Sequence, residues 1–177
     1  MTGPFFTVGH STHPLEEFVR IVRAHGVDRI VDVRAVPKSR HNPQFAEEEL
    51  ARSLPVHGID YRRIPSLGGL RHPAKDSPNG AWRNPSFRGY ADHMQTPEFA
   101  GGLEQLLEFG APSTVAIMCA EAVPWRCHRS LIGDALIVRG VAVDDILSAT
   151  VVRAHALTPF AVVTGSRITY PPEDERR

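Results

Sequence analysis

The feature that most constrains the fold is an alternation of two patterns. Short, continuously apolar runs are separated by segments whose apolar residues recur every three or four positions. Phe5-Phe6-Thr7-Val8, the 27–33 stretch around Ile30-Val31, and 113–118 are too short for helices and too uniformly apolar for strands with one wet face. They read as central parallel strands buried on both faces. Between them, Leu15, Phe18, Ile21 and Val22 share one helical face, with Thr12 or His13 as cap, Pro14 in the first turn and Gly26 at the stop. The spacing predicts three more helices. One covers 45–54, opened by Glu47-Glu48-Glu49 and stopped by Pro55 and Gly58; one runs from Thr96-Pro97-Glu98 to Gly110; one runs from Cys127 or His128 to Val138. Residues 59–64 and 141–147 read as further strands, and 160–163 as an edge strand. Residues 65–95 are rich in Gly, Pro, Asn, Arg and His without periodicity, which predicts a long irregular segment of functional use.

Strands alternating with helices require crossover connections, and crossovers give a mostly parallel sheet. The expected fold is a three-layer α/β domain of about five strands with helices on both faces, rhodanese- or flavodoxin-like. A length of 177 residues suits one such domain over 1–170, leaving the polar 171–177 as a frayed tail.

A sheet of this kind gathers ligands at the carboxyl ends of its strands. That rule collects residues that are scattered in the chain. The first run ends at Gly9-His10-Ser11, the second at Asp32-Val33-Arg34, the third leads into Leu67-Gly68-Gly69, and the fourth ends at Cys119 with Glu121 close behind. Eight residues after Cys119, Cys127 opens a helix and is followed by His128 and Arg129. A thiol in a strand-loop-helix turn feels the positive end of the helix, and Arg126 and Arg129 add to it, so a thiolate is favoured. The candidate chemistry follows from these types. Cys119 is a nucleophile or sulfur carrier, Cys127 a resolving thiol, and His10 or His128 a proton carrier. Arg34, Arg40, Arg126 and Arg129 are candidates to hold a carboxylate or phosphate. Ser11, Asp32, Glu121, Gly68 and Gly69 complete a substrate site, the glycine pair allowing close backbone approach. The helix dipole disfavours a charged His128, so a neutral imidazole is expected there.

Plainer readings compete. Both cysteines can serve as small core residues, and Asp32 with Arg34 can be a structural ion pair. Cys119, Cys127 and His128, completed by His10 or Glu121, could hold zinc, although adjacent residues at a helix start rarely face one ion. Arg71, His72, Lys75, Trp82, Arg83, Phe87, Arg88 and Tyr90 interleave cations with aromatics, as a surface for single-stranded nucleic acid would. A net charge of zero argues against that use. The expected partner is therefore an anionic small molecule or nucleotide-like ligand. No cofactor is expected, zinc being the one candidate. Two cysteines make no disulfide framework, no apolar run approaches the roughly 20 residues of a membrane span, and Met1 to Phe5 lacks a basic, then apolar, leader. These features predict a cytoplasmic protein that stays off membranes.

Six motifs occur in order: Thr7-Val8-Gly9-His10-Ser11, Asp32-Val33-Arg34, Pro37-x-Ser39-Arg40, Leu67-Gly68-Gly69, Cys119-x-Glu121 and Cys127-His128-Arg129. Together they resemble the bacterial and archaeal family called domain of unknown function 488. The resemblance implies an α/β domain and brings no assigned reaction. A more distant likeness is to rhodanese-type sulfurtransferases and cysteine phosphatases, through Ile30-Val31-Asp32-Val33-Arg34 and a cysteine closing a central strand. The phosphatase pattern places an arginine where Trp125 stands here, with Arg126 one position later and Pro124 interrupting the loop.

Overall fold

The computed structural model describes residues 4–38 and 40–176. Ser39 of the Pro37-x-Ser39-Arg40 motif, Met1 to Gly3 of the expected domain and leader-free start, and Arg177 of the expected tail lie outside the described residues.

The apolar runs form the middle of a six-stranded sheet. Its strands are β1 (Phe5–Gly9), β2 (Arg29–Asp32), β3 (Asp60–Arg63), β4 (Val115–Cys119), β5 (Val143–Ile146) and β6 (Val152–Ala154), in the spatial order β3-β2-β4-β1-β5-β6. The first five are mutually parallel and β6 pairs antiparallel with β5. In the register of β1 and β4, Gly9 stands opposite Cys119, and in that of β2 and β4, Asp32 stands opposite Met118. The helices are α1 (Leu15–Ala24), α2 (Glu47–Val56), α3 (Pro85–His93), α4 (Pro97–Gly110) and α5 (Arg129–Val138).

Side-chain alternation along the strands divides the core into two layers. Phe6, Val8, Ile30, Ala116 and Met118 face α1 and α2, meeting Phe18, Val22, Leu50 and Leu54. Val31, Val115, Ile117 and Cys119 face the other side, where Tyr90, Leu103, Leu106, Leu131 and Ile132 cover them. No helix among the described residues is long and apolar enough to cross a membrane.

The topology fixes where a ligand can enter. The chain leaves β1 and β2 toward the β3 edge, but leaves β4 toward β5. Crevices therefore open on both flanks of β4 at its carboxyl end, as at other points where strand order reverses.

Several expectations are corrected. Pro14, and not Thr12 or His13, occupies the cap of α1, with no side-chain cap; the first turn closes by Phe18 N–H donating to Pro14 O at 3.0 Å. Pro55 lies inside the last turn of α2, and the helix stops where Gly58 takes φ +75°. The 65–95 segment is not irregular throughout. Asn84 caps α3, accepting from Ser86 N–H at 2.8 Å, and Pro85 supplies the first turn. The edge strand beside β5 is β6, not 160–163. Val162–Thr164 (β7) and Arg167–Thr169 (β8) form a separate antiparallel hairpin instead. Within the polar tail, Glu173–Glu175 form a short 3-10 turn whose residues are exposed.

Candidate active site

The end of β4 carries the site. Cys119 is 3% exposed and Cys127 8%, and neither is in a disulfide. The connection between them turns tightly through a 3-10 segment, Pro124–Arg126, before α5 begins. This turn comes so close to β1 that a Cβ on Gly9 would lie 1.9 Å from Glu121 O. Glycine is the one residue that fits there.

Beneath the turn lies Arg129, the largest fully buried side chain of the domain, at 0% exposure. Its guanidinium donates from Nη1 to Cys119 Sγ at 2.7 Å and to Glu121 O, from Nη2 to Ala122 O at 3.2 Å, and from Nε to Thr7 Oγ1 at 3.2 Å. No carboxylate among the described residues forms an ion pair with it. A guanidinium removed from water needs a compensating anion or a full set of acceptors. Here the acceptors are carbonyls, one hydroxyl and one sulfur.

The two thiols titrate as a pair. Burial alone would raise Cys119, but the hydrogen bond from Cys127 and the Arg129 guanidinium outweigh it and hold the thiol below its ordinary value. Cys127 moves the other way, held protonated by its hydrogen bond to Cys119 and by burial. His128 Nε2 lies 2.9 Å from Val33 O, so Nε2 carries the proton and donates. Nδ1 is then an acceptor, 3.6 Å from Cys127 Sγ. Burial lowers His128 to about 4, which leaves a neutral ring at physiological pH. Gly69 makes room for that ring: a Cβ on it would lie 3.1 Å from Nδ1.

On the neighbouring strand, Arg34 and Asp32 form a buried bidentate pair, Nε to Oδ1 at 2.9 Å and Nη2 to Oδ2 at 2.7 Å, with Tyr61 OH donating to the same carboxylate. His10 donates from Nδ1 to Ser11 O at 2.8 Å, which leaves Nε2 to accept from Arg34 Nη1 at 3.3 Å. It stacks on Phe45 at 4.2 Å, and burial lowers it to about 4.

Most of the residues singled out in the sequence meet here. Arg34, Gly69, Cys119, Glu121, Arg126, Cys127 and His128 line a cleft of about 350 Å³ on the β2 side of β4. On the β1 side, His10 and Ser11, with Arg34 and Glu121 as a shared wall, line a second cavity of about 330 Å³. Ser11 keeps φ +51°, unusual for a residue with a side chain. Asp32 and Arg129 lie under the floor, fully buried. Gly68 packs against Ala35 at the cleft's back, and Arg40 is exposed and lines neither cavity. Among the described residues no three His, Cys, Asp or Glu side chains are grouped to hold a metal ion.

The aromatics of the 71–90 segment turn inward. Trp82 stacks on Phe87 at 4.8 Å and meets Phe160 and Tyr170 edge-on, while buried Tyr90 donates to Leu67 O at 2.8 Å. Arg71 is drawn to Gly68 O and to Glu98.

Sequence reasoning passed over a buried polar chain behind Arg129. Thr7 Oγ1 donates to Asp145 Oδ1; His155 bridges Asp145 Oδ2 at 3.3 Å and Asp134 Oδ1 at 3.0 Å; Tyr170 OH donates to Asp134 Oδ2 at 2.8 Å. The one available signal was Thr7 itself, a polar break in an apolar run.

The family model described as domain of unknown function DUF488 matches residues 14–136, well over half of the chain. No curated protein and no solved structure matches the chain.

Proposed function

We propose that this chain, which belongs to the domain of unknown function DUF488 family, is a cysteine-dependent enzyme in which Cys119 attacks the sulfur of a small anionic substrate and Cys127 resolves the product. The observation that carries the reading is the setting of Arg129. It is a fully buried guanidinium with no carboxylate partner among the described residues, 2.7 Å from Cys119 Sγ. The thiolate form of Cys119 supplies the missing anion, so the protein's own burial energetics favour the reactive state.

Thiol chemistry suits the site better than phosphoester chemistry. A phosphate cradle needs backbone N–H groups and a free guanidinium around the nucleophile. Here the turn directs Glu121 O and Ala122 O inward to Arg129, which is spent beneath it. Arg129 therefore acts on the thiolate rather than on substrate.

The reaction is a thiol–disulfide exchange. Cys119 Sγ⁻ attacks one sulfur of a disulfide R–S–S–R. The S–S bond breaks, RS⁻ leaves, and a mixed disulfide Cys119–S–S–R forms. The departing RS⁻ takes the proton of Cys127, and the resulting Cys127 thiolate attacks Cys119 Sγ, expelling the second RS⁻. Two electrons move from the cysteine pair to the substrate, and an external dithiol restores the pair. In a sulfur-carrier variant Cys119 Sγ⁻ attacks the outer sulfur of a persulfide R–S–SH, RS⁻ leaves, and Cys119 holds the transferred sulfur as its own persulfide.

Iodoacetamide alkylation followed by peptide mass spectrometry tests this. Cys119 is expected to react several-fold faster than free cysteine at neutral pH, with an inflection below the roughly 8.5 of an ordinary thiol. The fast phase should vanish in Cys119→Ser and persist in Cys127→Ser. A Cys119 no faster than free cysteine would overturn the proposal.

A further inference from the structure

The cleft over the two thiols is walled mainly by apolar side chains: Val36, Leu70, Phe87 and Tyr90. Val36 and Leu70 are 59% and 72% exposed, so large apolar groups stand open at its mouth. Leu70 does so from a backbone at φ +58°. A branched residue in the left-handed region is uncommon, and such strain clusters at ligand sites. Gly69 beside it leaves space for the His128 ring on the floor.

The charges in the cleft are mostly committed. Each nitrogen of the Arg34 guanidinium is engaged, by Asp32 or by His10. His128 is neutral, and Glu121 Oε1 turns back to accept from Val123 N–H at 3.0 Å. Arg126 differs: it is exposed, lines the cleft, and forms no ion pair among the described residues.

We infer that the cleft selects a small disulfide or persulfide whose sulfur is borne on an aromatic-sized apolar body carrying one acidic group, the body lying against Val36, Leu70 and Phe87 and the acid against Arg126. A volume of about 350 Å³ suits one such half-molecule. The inference rests on Cys119 being the attacking thiolate.

Four probes test it on the reduced full-length chain: 5,5′-dithiobis(2-nitrobenzoate), aromatic and anionic; 2,2′-dithiodipyridine, aromatic and uncharged; oxidised glutathione, anionic and polar; and cystamine, aliphatic and cationic. Each rate is divided by that of the same probe with free cysteine. The aromatic anion should lead and cystamine should trail by about tenfold or more, the scale on which an apolar pocket discriminates. Leu70→Ser or, independently, Val36→Ser should narrow the aromatic-to-cystamine ratio at least about threefold. Arg126→Gln should erase the preference for the anionic aromatic over the uncharged one. Normalised rates within twofold of one another, or a ranking indifferent to all three variants, would overturn the inference while leaving the thiolate reading intact. Probes that all react no faster with the protein than with free cysteine would instead remove the thiolate reading, and this inference with it.

Discussion

Thr7→Val isolates the support behind Arg129 and its contact with Cys119. Thr7 is fully buried on β1, and valine has nearly the same shape and the same preference for a strand, so neither a cavity nor a propensity cost enters. What is lost is one hydroxyl that accepts from Arg129 Nε and donates to Asp145. Asp145 keeps His155, but Arg129 Nε–H is left without an acceptor in a site that water does not reach. An orphaned buried donor costs about 1–3 kcal/mol, and the lost carboxylate contact adds about 1 kcal/mol, so stability should fall by about 2–4 kcal/mol. With a urea slope of about 2 kcal/mol per molar, the unfolding midpoint drops by about 1–2 M. A loosened guanidinium also stabilises the thiolate less, so alkylation of Cys119 at neutral pH should slow in the same variant. Thr7→Ser, which restores the hydroxyl, should recover the alkylation rate. A Thr7→Val protein that unfolds within about 0.5 kcal/mol of the parent and alkylates at the parent rate would refute the idea that this chain of contacts holds Arg129 in place.

Further outcomes follow from other parts of the fold. Gly9→Ala brings a Cβ against Glu121 O and forces the turn outward, so the melting temperature should fall by an amount equivalent to about 2 kcal/mol or more, with slower Cys119 alkylation alongside. Stability should peak in pH. For His155, burial works downward, but its hydrogen bonds to Asp134 and Asp145 outweigh it and raise it to about 9. Its contribution is complete below the unfolded value of 6.5 and is lost as pH rises through about 9. His10 and His128 sit at about 4, so their neutral forms favour the fold above 6.5 and stability falls as pH drops from 6.5 toward 4. Urea midpoints measured from pH 4 to 10 in Cys119→Ser, which removes the opposing contribution of that lowered thiol, check both arms; a monotonic profile would contradict these environments.

The strands and their carboxyl-edge convergence were legible in the chain because buried parallel strands and amphipathic helices carry opposite periodicities. Strand ends pointed to His10, Arg34 and Cys119, and the expected helix start to Cys127 and His128; the structure sets Arg34, Cys119, Cys127 and His128 around one cleft and His10 around its neighbour. What stayed hidden depends on contacts between distant positions. Arg129 reads as a cation that favours a nearby thiolate or holds a substrate anion, and only its acceptors on Thr7, Cys119 and the turn carbonyls explain its burial. Asp134, Asp145 and His155 are unremarkable in the sequence until the sheet and α5 bring them together. Helix α3 was missed because it carries a poor helix former, Gly89, where a Cβ would lie 2.1 Å from Arg71 O, although Asn84-Pro85 was a readable start. Strand β6 is exposed and carries Arg153, so no apolar run announces it.

The place of β4 has a consequence for how the protein is made. Its strand slots between β2 and β1, which come far earlier in the chain and do not pair with each other. As synthesis proceeds, those two remain apart until residues 115–119 are available to fill the gap. Assembly therefore waits on long-range pairings, which are slow to form. Cys119 rides on the strand that closes the sheet, and Arg129 follows it by ten residues. A nascent chain cannot set Arg129 beneath Cys119 until β4 and the start of α5 have both been made, so that contact arrives only with the pairings that close the middle of the sheet.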